Sequence, residues 1–268
     1  MKIKLFIITL CLISVSLSSC KVQKSEDEKT DKPESTFKVS SDAKVMQNAD
    51  AMLSPCEDKG ASYIDSFIFF GESTTYHLKS RGVLSGGKET NQVWANESGT
   101  MKLDLSIDKQ KIIYPETNEL LTVGDAAAKK KPKYIVLTFG LNGAVQNVNR
   151  GSEYFKLCYK KLIESIRSAS PSTTVILQSA FPVAENMDMS AYSIDLKTLN
   201  KYIDLQNSWA YSLACEINCK YLDTSSILKD ENNNLKIEYQ IGDGHHLTTE
   251  AYRHILYYIR THGWEETK

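Results

Sequence analysis

The 268-residue chain has no excess of basic charge, no apolar run long enough to cross a bilayer, and no Cys/His cluster at metal-ligand spacing. Its 32 Lys and Arg stand against 33 Asp and Glu, a formal charge of -1. Without Lys2 and Lys4 the balance is about -3, so no basic field draws nucleic acid to it. The apolar stretch from Leu5 to Val15 is too short for a mature membrane-spanning helix. Of six cysteines, Cys56, Cys158, Cys215 and Cys219 lie beyond the first twenty residues. Cys215 and Cys219 have no His or second Cys pair beside them, which argues against zinc and for buried thiols. A disulfide is open to these residues outside the cytoplasm, but no pairing follows from spacing. Nothing in the chain signals a metal or an organic cofactor.

What is present begins with an address. Lys2 and Lys4 precede the apolar stretch, and Leu17-Ser18-Ser19-Cys20 closes it. This resembles a bacterial lipobox, which implies removal of residues 1–19, lipidation of Cys20 and attachment to the extracytoplasmic face of the membrane. Each buried lipid methylene would contribute about 0.8 kcal/mol. An ordinary signal peptide or an uncleaved anchor is the alternative. Residues 20–60 are mostly Lys, Glu, Asp, Ser and Thr with Pro33, too polar to offset chain entropy, and read as a flexible tether. A short helix around Asp42–Leu53 is compatible with that reading. Residues 61–268 are then one domain, large enough for a sizeable core.

That domain alternates strand and helix. Asp65–Phe70, Lys133–Phe139 and Thr173–Gln178 are continuous apolar runs, the mark of strands buried on both faces, and Cys219–Asp223 is a shorter one. Between them, helices are expected at 74–80, 122–131, 152–169, 194–217 and 249–262. Such alternation predicts parallel pairing by right-handed crossovers. The fold class is α/β: a three-layer α/β/α sandwich on a parallel, flavodoxin-like sheet. Residues 93–121 break the rhythm, and Met101–Ile107 with Lys111–Tyr114 predicts an inserted hairpin.

Three short segments follow apolar runs: Phe69-Phe70-Gly71-Glu72-Ser73-Thr74, Thr138-Phe139-Gly140-Leu141-Asn142-Gly143, and Asp243-Gly244-His245-His246-Leu247-Thr248. They carry a hydroxyl, a side-chain amide, and an imidazole with a carboxylate three residues before it. Taken singly, Ser73 would be a helix cap, Asn142-Gly143 a turn and His245-His246 a surface loop. All three fall at carboxyl ends of strands or in the loop before the last helix, where open α/β sheets bind ligands. A serine is too weak a nucleophile alone and needs a base within hydrogen-bond reach, itself oriented by an acid.

In order and context these segments resemble the SGNH (GDSL-type) hydrolase family, whose blocks read Gly-Asp-Ser, Gly-x-Asn-Asp and Asp-x-x-His. The resemblance covers about residues 62–268. It implies a serine esterase with Ser73 as nucleophile, His246 as base and Asp243 as its orienter. The Asp-x-x-His register favours His246 over its neighbour His245. The same resemblance implies an oxyanion hole from the Ser73 N–H, the Asn142 amide and a glycine N–H of the second block, for which Gly99 is the candidate. Two positions depart from the pattern, Glu72 for Asp and Gly143 for Asp.

A tethered esterase meets polymers, and relatives of this family that deacetylate glycans imply a short acyl, O-acetyl, ester on a sugar or cell-wall glycan. Trp94, Tyr76 and Phe181 are then candidate stacking surfaces. The absence of a long apolar lid argues against a long-chain lipase. A lipid or thioester hydrolase with a small pocket, and a non-catalytic surface binding protein on a degenerate scaffold, are the alternatives. The expected partners are a small-molecule or glycan ester and the membrane, with no nucleic acid; oligomeric state is not legible.

Overall fold

The computed structural model describes residues 51–263; the lipobox at Cys20, the signal segment and the tether up to residue 50 lie outside them. Five strands, β1 Phe67–Gly71, β2 Val93–Trp94, β3 Tyr134–Thr138, β4 Thr174–Gln178 and β5 Lys220–Leu222, build one sheet. Every pairing within it is parallel. The spatial order β2-β1-β3-β4-β5 is the flavodoxin-like order expected from the sequence. Its direction of winding reverses between β1 and β3, which run in register from Phe67 beside Tyr134 to Gly71 beside Thr138.

The strands read as unbroken apolar runs because both faces are covered. Ile68 and Phe70 of β1 and Ile135 and Leu137 of β3 enter one core, with Leu162 and Leu213. Phe67, Phe69, Val136 and Ile176 enter the other, with Leu78, Ile255 and Ile259. This alternation is the two-residue period of a strand expressed as two layers. Besides the single turn Ala61–Ile64, six helices flank the sheet among the described residues: α1 Ser73–Ser80, α2 Val123–Lys130, α3 Ala144–Arg150, α4 Ser152–Ala169, α5 Leu196–Glu216 and α6 Thr249–Thr261. Helices α2, α4 and α5 supply the first core, α1 and α6 the second. Side-chain caps set several starts. Thr122 and Asp125 form a reciprocal capping box for α2, Asp195 accepts the Thr198 N–H of α5, and Thr248 accepts the Ala251 N–H of α6.

Two expectations need correction. The hairpin pairs Lys111–Ile113 with Leu120–Thr122, not with Met101–Ile107. The turn between them closes through the Asn118 N–H on the Tyr114 carbonyl at 2.8 Å, with Asn118 in the left-handed region. Met101, Leu103 and Ile107 alternate in burial because an irregular segment lies with one side on the core, which imitates a strand's period. The tether also ends earlier than residue 60. Ala51 and Leu53 are buried, and the Leu53 N–H reaches the Tyr221 carbonyl at 2.9 Å. Ser54–Pro55 then pairs antiparallel with His262–Gly263. Finally, β2 and α3 carry no period long enough to be read in advance.

Where β1 leaves the sheet only glycine fits. A Cβ on Gly71 would lie 2.3 Å from the Thr138 carbonyl oxygen and 2.3 Å from Thr75 Oγ1. Gly71→Ala is therefore expected to force β1 from β3 at its exit, lowering stability by about 1–3 kcal/mol in chemical denaturation. A variant as stable as the unmodified protein would show that the strands can part there at no cost.

Candidate active site

Gly71 ends β1, Glu72 turns the chain, and Ser73 is the first residue of α1. The loop before α6 brings its ring nitrogens to that point. His246 Nε2 lies 3.2 Å from Ser73 Oγ, and His246 Nδ1 lies 2.7 Å from Asp243 Oδ2. The other carboxylate oxygen, Asp243 Oδ1, accepts the backbone N–H groups of His245 at 3.0 Å and His246 at 2.9 Å. One carboxylate thus folds its own loop and holds the imidazole. The loop is tied outward as well: the Gly244 carbonyl accepts the Ala184 N–H at 2.7 Å, and the Gly244 N–H reaches Gln240 Oε1 at 3.0 Å.

Asn142 follows β3 on the neighbouring strand end. Its side-chain amide donates to the Met101 carbonyl at 3.1 Å, which commits one of its two hydrogens. The backbone beneath it is carried by Glu72. The Leu141 N–H donates to Glu72 Oε1 at 2.9 Å and the Asn142 N–H to Oε2 at 2.8 Å. Glu72 is 2% exposed, so its longer stem serves to reach under the next loop. The loop holding the amide is therefore pinned by the residue that precedes the hydroxyl.

Of the sequence-predicted residues, Ser73, Asp243, His246 and Asn142 converge on this rim. Gly99 does not join as a donor: its N–H is spent on the Asn96 carbonyl at 3.1 Å, closing a turn whose left-handed glycine packs on the Tyr76 ring. Trp94 and Phe181 are buried in the core and offer no stacking face, whereas Tyr76 is half-buried. His245 keeps its Nδ1 3.1 Å from the Asp243 carbonyl and its ring 4.0 Å from that of His246. His77 of α1 packs its ring 4.3 Å from the His246 ring. Its spacing of four from Ser73, one helical turn, was the available signal. Asp243, His245 and His246 bring ligand atoms within 4.8 Å of one another. A cation there would compete with the 2.7 Å bond between acid and base. The four described cysteines are unpaired.

The electrostatics separate these groups. Burial pushes the Glu72 carboxyl up to about 7, against the N–H groups of Leu141, Asn142 and Gly140, which favour its anion. Burial works in the same direction on Asp243. There the N–H groups of His246 and His245 and the His246 ring outweigh it and hold the acid at about 2. His246 is lowered from the usual imidazole value by burial, with Asp243 pulling the other way. Burial and the neighbouring His246 take His77 down to about 4, so it stays neutral against the ring it touches. Glu72→Gln would turn an amide NH2 toward one of the two backbone N–H groups. The expected result is a fall in kcat of about tenfold to a hundredfold as Asn142 shifts, measured on any ester the protein turns over. An unchanged kcat would separate Glu72 from the amide's position.

The sequence profile of the GDSL-like lipase/acylhydrolase family matches residues 69–254, which include Ser73, Asn142, Asp243 and His246. Among solved structures, a GDSL-like lipase of Bacteroides thetaiotaomicron is similar at 17% identity and a TM-score of 0.49, covering 72% of this chain and 85% of its own. The aryl esterase of M. smegmatis is similar at 15% identity and a TM-score of 0.49, covering 72% of this chain and 95% of its own. No curated protein matches the chain. A profile that runs from the end of β1 into α6 and contains all four convergent residues assigns this chain to the GDSL-like lipase/acylhydrolase family, hydrolases of ester bonds.

Proposed function

We propose that the protein is a serine esterase that removes short acyl groups, O-acetyl in the first place, from a carbohydrate or cell-wall glycan. The observation that carries the reading is the continuous relay of Asp243, His246 and Ser73, at 2.7 and 3.2 Å. In it, Ser73 Oγ attacks the ester carbonyl while His246 Nε2 takes its proton, and Asp243 fixes the tautomer and stabilises the imidazolium. The oxyanion is met by the Ser73 N–H, which as the first of α1 has no intrahelical acceptor, and by the free hydrogen of the Asn142 amide. The tetrahedral adduct collapses as His246 returns the proton to the departing alcohol. Water, deprotonated by the same base, then releases the acid and restores Ser73.

A sugar alcohol fits the surroundings. Beyond Tyr76, one turn along α1 from Ser73, a cleft of about 390 Å³ has Lys79, Glu89, Asn91, Asn96, Glu97 and Asn118 in its lining. Amides, an ammonium and two carboxylates around an aromatic edge suit hydroxyl-rich ligands better than an acyl chain. The attachment of the chain to the extracytoplasmic face of the cell membrane through lipid on Cys20 belongs to the same proposal. No helix among the described residues is long and apolar enough to cross a membrane.

Release of acetate from a panel of acetylated glycans, with Ser73→Ala as control, tests the activity. The serine variant is expected to lose turnover by roughly 10³-fold or more, and Asn142→Ala about 10²–10³-fold. Because the base is lowered below 6.5, its neutral form is present at lower pH than in free imidazole. So kcat/KM is expected to rise with pH through a midpoint below 6.5 and stay flat above it. A rising limb centred above 7 would remove His246 from the role of base.

A further inference from the structure

The position after Asn142 carries no side chain, and a cation stands in its space. Gly143 has a φ of +82°, and a Cβ added there would come 2.5 Å from Lys102 Cε and 3.3 Å from Lys102 Nζ. Where the family's pattern places a carboxylate, this chain has an ammonium instead, supplied from the segment after β2. The local charge is thereby reversed beside the amide of the oxyanion site.

Lys102 is held for this. Its backbone carbonyl accepts Gln110 Nε2 at 3.1 Å, and its neighbours Met101 and Leu103 are each 1% exposed, fixing the chain on both sides. The Met101 carbonyl is the acceptor of the Asn142 amide at 3.1 Å, so the backbone that presents Lys102 also positions that amide. The ammonium itself donates to Gln146 Oε1, on the first turn of α3. No carboxylate pairs with Lys102 among the described residues, whereas Lys129, Lys130, Lys156 and Lys229 each have one. An ammonium at the surface, steadied by one neutral amide, is a cation whose charge is left for a ligand.

We propose that Lys102 selects esters whose alcohol carries an anion close to the scissile bond, specifically a carboxylate-bearing sugar. The inference rests on the esterase reading of Ser73 and deepens it, by naming the charge of the substrate. The ester carbonyl sits at Ser73 and Asn142, and a carboxylate on the same or the adjoining sugar ring reaches Lys102 Nζ beside Gly143. No bond to Lys102 forms or breaks; it contributes binding alone, so its effect falls on KM.

The test compares an O-acetylated uronic acid glycoside and an O-acetylated muramic acid glycoside, each with its uncharged counterpart of the same size, in unmodified protein, Lys102→Met and Lys102→Arg. The unmodified protein is expected to prefer a charged ester by about tenfold in kcat/KM, mostly through KM, and to lose that preference as salt is raised. The methionine variant is expected to show a ratio near one, and the arginine variant to retain most of it. Which of the two acids shows the larger ratio identifies the source of the sugar. A preference that is absent in the unmodified protein, or that survives Lys102→Met, overturns the assignment and leaves the esterase reading intact. Failure of the unmodified protein to cleave any of the four esters, with no labelling of Ser73 by a fluorophosphonate, would instead overturn the esterase reading and this one with it.

Discussion

The site depends on a buried carboxylate between two loops. Glu72 leaves β1 and Asn142 leaves β3, and these are the strands between which the winding of the sheet reverses. At such a reversal the connections part to either side and open a crevice, which nothing in the sheet itself closes. Two backbone N–H groups on one carboxylate close it from beneath, so the hydroxyl and the amide are set by a single side chain. A carboxylate this deep would be expensive alone; the N–H groups that it organises offset part of that cost. Asp243 repeats the device on the opposite loop, taking two N–H groups with one oxygen and the imidazole with the other. Both acids thus act first as loop builders, and the reactive side chains inherit their positions.

Much of this was legible in the chain. The strands β1, β3 and β4 announce themselves because both faces are buried, leaving runs such as Tyr134 to Thr138 without a polar interruption. Ser73, Asn142 and His246 were legible because each stands directly after such a run or before an amphipathic helix. The order of the segments, with the strand ends, placed them on one rim. Other features depend on contacts that no local pattern records. Glu72 is visible in sequence only as a departure from a family residue; its reach to Leu141 needs the β1–β3 register. Gly99 looked like a donor because of its position, yet the turn that its conformation permits consumes its N–H. β2 has two residues, too few for any period, and Met101 to Ile107 shows the period of a strand without pairing as one.

Around the base the chain has gathered aromatic nitrogen. His246 lies between the rings of His77 and His245, at 4.3 and 4.0 Å. Burial and the neighbouring His246 keep His77 uncharged, and with its Nδ1 buried without a partner it is a flat, weakly polar wall. A second positive ring there would repel the imidazolium that forms when Ser73 gives up its proton. The depressed basicity of His77 and the working charge of His246 are therefore complementary.

The short ribbon formed by Ser54–Pro55 and His262–Gly263 has a consequence for how the domain is made. Its two halves lie at opposite ends of the described chain, and the guanidinium of Arg260, gripping Asp58 beside it, spans nearly the same distance in sequence. Neither contact exists until synthesis has passed Gly263. The first described residues are therefore closed onto the domain in two stages, Ala51 and Leu53 against Tyr221 and afterwards the ribbon. Tension applied from the N-terminal side would load the bonds of Ala51 and Leu53 to Tyr221 before it reached the ribbon, and the ribbon before it reached β1 and Ser73.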